Sequence, residues 1–73
     1  MPKTVSGKKL IRFLTQKGFE VYSQKGSHVK LISRERHTKT IVPLHKSIAQ
    51  GTLRAIQKQA KLTTDEIQEL AEE

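Results

Sequence analysis

Phe19-Glu20-Val21-Tyr22-Ser23-Gln24-Lys25-Gly26-Ser27-His28-Val29-Lys30-Leu31-Ile32-Ser33 is the stretch on which the fold turns. Before it, apolar residues recur at helical spacing; within it the period falls to two. Phe19, Val21 and Ser23 alternate with Glu20, Tyr22 and Gln24, and Val29 and Leu31 alternate with His28, Lys30 and Ile32. Alternation among β-branched and aromatic residues around a turn glycine reads as a hairpin, of about 19–25 and 27–33 with Gly26 in the turn. If Val29 and Leu31 face a core, His28 and Lys30 share the other face, because side-chain direction repeats every two residues.

Working back from the hairpin, Gly18 fits the left-handed position that ends a helix. Leu10, Ile11, Phe13 and Leu14 give that helix an apolar face, and Ser6 is its N-cap, so a first helix is expected over about 7–17. Residues 1–5 read as a loose arm. The first turn carries Lys8, Lys9 and Arg12 at the positive end of the helix dipole, a placement that costs roughly a few tenths of a kcal/mol each unless an anion visits.

Working forward, Ser33 to Thr38 is a polar, basic turn, and Lys39 to Val42 a short strand stopped by Pro43. A loop leads to a second helix starting near Gly51-Thr52, with Leu53, Ile56 and Ala60 as its apolar stripe. Thr63 and Glu66 have the spacing of a capping box, with Leu62 and Ile67 as its hydrophobic staple. They open a short acidic helix over 64 to about 71, with Ile67, Leu70 and Ala71 on its apolar side. The order predicts an α+β two-layer sandwich, α-β-β-β-α with a three-stranded antiparallel sheet, plus a short C-terminal acidic helix. One face of such a sheet can stay solvated. Residues 1–73 read as a single domain, with a core at 6–62 and an acidic extension at 63–73.

Charge says what such a domain meets. The chain has 14 Lys+Arg against 7 Asp+Glu, a net +7. All the basic residues lie between Lys3 and Lys61, opposed there only by Glu20 and Glu35 (+14 − 2 = +12), while the last twelve residues carry −5. A core this basic favours a polyanion, nucleic acid being the commonest; the bland alternative is a solvated, solubilising face. A third possibility is that the chain's own acidic end docks on its basic face. There is no cysteine, which removes disulfides and thiolate metal sites. No signal peptide or membrane span is legible, so a cytoplasmic protein is expected.

Three histidines, His28, His37 and His45, are the only strong metal candidates, and they lack a tight ligand spacing. No metal and no small-molecule cofactor is expected. Ser27 and His28 would be neighbours in a strand and point to opposite faces, so they do not form a nucleophile–base pair. Acid–base work by one histidine is the better case, because RNA carries its own nucleophile in the 2′-OH. An imidazole supplies proton transfers and lysines stabilise the phosphorane. On pattern alone the plainer reading of His28, a phosphate-binding residue on an exposed strand, is the stronger one. His45 reads as a structural or substrate-binding residue and His37 as surface. Tyr22 is either a half-buried structural residue or a base-stacking one. With three aromatic residues and no tryptophan, a stacking platform is poorly supplied.

The hairpin segment Gln24-Lys25-Gly26-Ser27-His28-Val29-Lys30 does not stand alone. With Ser6-Gly7-Lys8 and Leu10, Lys17-Gly18-Phe19, Val42-Pro43-Leu44-His45, Gly51-Thr52-Leu53 and Gln59-Ala60-Lys61-Leu62, the chain resembles the HicA family of small mRNA-interferase toxins. The resemblance implies a fold like the double-stranded RNA-binding domain. It implies metal-independent ribonuclease activity against translated mRNA, arresting growth, and it places the catalytic histidine at His28. It also implies a HicB antitoxin that covers that histidine. Lys25, Lys30, Lys8, Lys9 and Arg12 become candidates for RNA binding, Gly26 and Ser27 shape the turn, and His45 and Tyr22 are candidate support. Two departures stand out: Lys61 occupies a position often held by glycine, and the acidic helix runs past the usual end. The rival from another class is a non-catalytic double-stranded RNA-binding module.

Overall fold

The computed structural model describes residues 4–72. The elements follow the order α1 (Gly7–Gln16), β1 (Glu20–Lys25), β2 (His28–Ser33), β3 (Thr38–Pro43), α2 (Gln50–Gln59) and α3 (Thr64–Glu72). The strands form one antiparallel sheet in the order β1-β2-β3. This is the expected α+β arrangement.

The central strand β2 assigns the faces. Val29, Leu31 and Ser33 are buried, while His28 is exposed and Lys30 and Ile32 are half-buried. The buried set joins Leu10, Phe13 and Leu14 of α1, Val42 of β3 and Leu53 and Ile56 of α2 in the core. Hence the helices cover one sheet face and His28 stands on the other.

Strand β1 departs from simple alternation. A bulge interrupts its register between Val21 and Ser23, so Glu20 pairs with Ile32 and Val21 with Leu31, but Ser23 with Lys30 and Gln24 with Val29. Tyr22 is the extra residue. The expectation that Glu20, Tyr22 and Gln24 share one face therefore fails at Gln24, which moves to the side of Val29. The same shift brings Lys25 opposite His28, on the open face. The whole of β1 is exposed, which is why its sequence gave no core pattern to mark the slip.

Both long helices end in the same motif. At α1 the Phe19 N–H donates to Leu14 O at 3.0 Å and the Gly18 N–H to Thr15 O at 3.2 Å, with Gly18 at φ +95°. At α2 the Leu62 N–H donates to Gln57 O and the Lys61 N–H to Lys58 O, both at 3.1 Å, with Lys61 at φ +56°. These are Schellman ends, and their pivot favours glycine. Lys61 thus holds a left-handed conformation that a glycine would adopt at lower cost.

The N-terminal segment corrects another expectation. Met1 to Lys3 lie outside the described residues, but Val5 is buried and its carbonyl accepts the Ile48 N–H at 2.8 Å. At the other end Thr63 and Glu66 form the expected capping box, with bonds of 3.0 and 3.1 Å. Leu70 anchors α3 in the core, whereas Ala71 is exposed.

Candidate functional site

Gly26 and Ser27 form a two-residue turn closed by the Lys25–His28 pair. Gly26 takes φ +61°, as the first central position of a type II′ turn requires, and Gln24 Nε2 braces it by donating to Gly26 O at 3.3 Å. Ser27 therefore lies in the turn, not in the strand as expected. Its carbonyl accepts the Leu44 N–H at 2.7 Å, tying the hairpin tip to the end of β3.

That end of β3 is also where α1 begins. The Gly7 N–H donates to His45 O at 2.8 Å. A Cβ on Gly7 would strike the Pro43 carbonyl oxygen and stand 2.9 Å from Leu44 Cα, so the first helical turn approaches as closely as backbone allows. Ser6 caps the helix through its Oγ, which accepts the Lys9 N–H at 3.1 Å. Sequence reasoning missed Gly7, since a glycine in a first turn looks like nothing more than a weak helix start.

Four segments thus meet at one end of the sheet: the hairpin tip, the exit of β3, the His45 loop and the N-terminus of α1. His28 holds the centre, paired with Lys25 on one side and Pro43 on the other. His45 follows two residues after Pro43. Lys8 follows Gly7 and is exposed, in a first turn that contains no acidic residue. Lys30 lies two residues along β2 on the open face. Arg12 sits about 6 Å further along the axis of α1, at 1.5 Å per residue, so it extends the basic surface and does not join the cluster. Tyr22 stands on the open face with Lys39 Nζ 5.9 Å from its ring centroid. His37 belongs to the opposite turn. Among the described residues no three His, Cys, Asp or Glu side chains are gathered as a metal site.

The acidic helix goes elsewhere. Glu66 grips Arg36 through two bonds, Nη1–Oε1 at 2.9 Å and Nη2–Oε2 at 2.6 Å, and Arg36 also donates to Lys61 O at 3.1 Å. The hydrogen bonds from Arg36 hold the Glu66 carboxyl down at about 2, and the same pair raises Arg36. Glu69 meets Lys17 at 3.0 Å. Both contacts are at the Ser33 end of β2, roughly 17 Å from His28 at 3.3 Å per residue. The acidic end thus places Glu66 and Glu69 away from the His28 face. No helix among the described residues is long and apolar enough to cross a membrane.

Comparison with curated proteins finds no match. A protein-family comparison does: the model described as the HicA toxin of bacterial toxin–antitoxin systems matches residues 7–62. The match opens on the close-packed Gly7, takes in the hairpin, His28 and His45, and stops at the Schellman end of α2. This chain belongs to the HicA family of bacterial toxins.

Proposed function

We propose that the chain is a metal-independent endoribonuclease that cleaves mRNA, with His28 as its general acid–base, and that a HicB-type antitoxin neutralises it. One observation carries the reading. His28 stands exposed on the central strand with Lys25 as its cross-strand partner and Lys30 on the same face, inside the segment the family comparison covers.

The chemistry asks little more of the protein. A ribose 2′-OH lies within reach of the adjacent phosphorus; His28 takes its proton, the 2′-oxygen bonds to phosphorus, and the P–O5′ bond breaks. The products are a 2′,3′-cyclic phosphate and a 5′-OH, the latter receiving the proton. Lys25 and Lys30 neutralise charge growing on the non-bridging oxygens. Lys8 and Lys9, in the first turn of α1, with Arg12 beyond, hold the flanking backbone. His45, fixed through its carbonyl to Gly7, is the second imidazole at this end of the sheet and the candidate for the returning proton.

Purified protein incubated with RNA in EDTA tests this directly. Cleavage that leaves cyclic phosphate ends is expected. Salt-dependent binding with no cleavage would instead identify a double-stranded RNA-binding module.

A further inference from the structure

Strand β1 is a free edge. Only β2 pairs with it among the described residues, and all six of its residues are exposed. Val21 and Tyr22, 48% and 51% exposed, put apolar surface there. Glu20 and Lys25 stand at its two ends, and neither has an ion-pair partner among the described residues.

The bulge decides what this edge can accept. Cross-strand pairing puts Glu20 with Ile32, Ser23 with Lys30 and Lys25 with His28, all on the open face. Val21 and Gln24 go with Leu31 and Val29 on the helix side, while Tyr22 reaches Lys39 over the open face. From Glu20 to Lys25 the faces therefore run open, helix, open, open, helix, open. That order is the same from either end. In a regular strand residues 20 and 25, an odd number apart, would point to opposite faces; the extra residue brings both charges to one.

A strand with palindromic faces can pair antiparallel with itself, face matching face. With Tyr22 opposite Ser23 of a second copy, Val21 meets Gln24 and Glu20 meets Lys25. The charges are opposite where the faces are symmetric, so a two-fold axis between Tyr22 and Ser23 sets a carboxylate against an ammonium twice. A bulge can also turn an edge away from partners; here it is what makes the two ends match. The net +7 of each chain opposes association. At about 0.15 M salt that repulsion is screened beyond roughly 8 Å, whereas side chains facing each other across strands are about 5 Å apart. An unrelated peptide offers the edge a backbone, but a second β1 supplies both the face order and the opposite charges.

We propose that β1 is a self-pairing edge: a second copy of this chain adds to it antiparallel, Glu20 against Lys25, and the two three-stranded sheets become one with both His28 side chains on the same face. Glu20 of the second copy then stands beside Lys25, the cross-strand partner of His28, so association brings a carboxylate to the rim of the candidate site. The pairing does not depend on the ribonuclease reading.

Sedimentation equilibrium of the full chain, up to about 1 mM and at about 0.15 M salt, tests this. The wild type should show a monomer–dimer equilibrium. Glu20→Lys alone sets lysine against lysine in both pairs, and Lys25→Glu alone sets glutamate against glutamate. Each should raise the dimer Kd by about tenfold or more. An equimolar mixture of the two variants restores opposite charges in every pair, as does the double variant Glu20→Lys/Lys25→Glu, and both should associate about as well as wild type. A wild type that stays monomeric overturns the proposal. So does a dimer that both single variants retain, or a mixture and a double variant that do not recover association. Should one single variant not fold, loss in the other with recovery in the double variant supports the proposal, and any other result overturns it.

Discussion

At the Ser33 end of β2, Arg36 is gripped by both oxygens of Glu66, stacked 5.9 Å from the Phe19 ring and bonded to a helix-end carbonyl. At the His28 end, Lys25 and Lys30 share an open face with an imidazole, beside a helix start whose first turn has no acid. Arg36 is consumed by structure at one end, and at the other Lys25 stands exposed and Lys30 half-buried with no carboxylate paired to either among the described residues. Burying and pairing a charge makes it part of the fold; leaving it on a rigid but uncovered strand keeps it ready for a phosphate. The backbone holds the second end as firmly as the ion pair holds the first, through Gly7–His45 and Ser27–Leu44.

The largest expected effect on this contrast comes from Gly7→Ala. The new methyl would meet the Pro43 carbonyl, forcing α1 away from the His45 loop. A loss of about 3 kcal/mol, at the upper end for overpacking, is expected in urea unfolding. Native stability in this variant would mean that the His28 end is not held by close packing.

Next comes the latch. Glu66→Gln should cost on the order of 2 to 3 kcal/mol at neutral pH, because Glu66 falls from 4.5 to about 2 on folding. Since folding depresses this group, its contribution is complete above pH 4.5 and is lost as the pH falls toward 2. The wild type should thus lose stability over that window more steeply than the variant. RNA cleavage should survive the substitution at temperatures where the variant is folded. Parallel acid profiles would remove the latch from the account.

Lys61→Gly gives the smallest change, with opposite sign. Glycine relieves the left-handed backbone, worth roughly 1 kcal/mol. Against this stands the loss of the Lys61 Nζ bond to Arg36 O at 2.9 Å, which is exposed. A net gain of about 0.5 kcal/mol is expected, raising Tm by about 2–4 °C in a domain of this size. A fall in Tm would show that Lys61 serves the latch more than it strains the helix end.

These sites differ in how plainly the chain announces them. Gly18 and the Thr63–Glu66 box were legible because each is a local pattern, complete within a few residues. The faces of β2 were legible because Val29 and Leu31 alternate against a core. The bulge at Tyr22 left no such trace: every residue of β1 is exposed, so a slip in period has nothing apolar to displace. Lys25 was seen beside His28 in sequence, but only the bulge puts the two side chains on one face. Arg36 and Glu66 are 30 residues apart, and no local spacing couples them. Val5 looked like part of an arm because its partner, Ile48, lies across the fold.

If the uncovered end of β2 does chemistry and not only binding, the rate of RNA cleavage in His28→Ala, measured beside its Tm, must show it. Because His28 is exposed and lies outside the core, Tm should stay within a few degrees of wild type, while cleavage should fall by about 10²-fold or more, the loss expected for a general acid–base. Cleavage at the wild-type rate in a folded His28→Ala protein would mean that the imidazole is not the acid–base group.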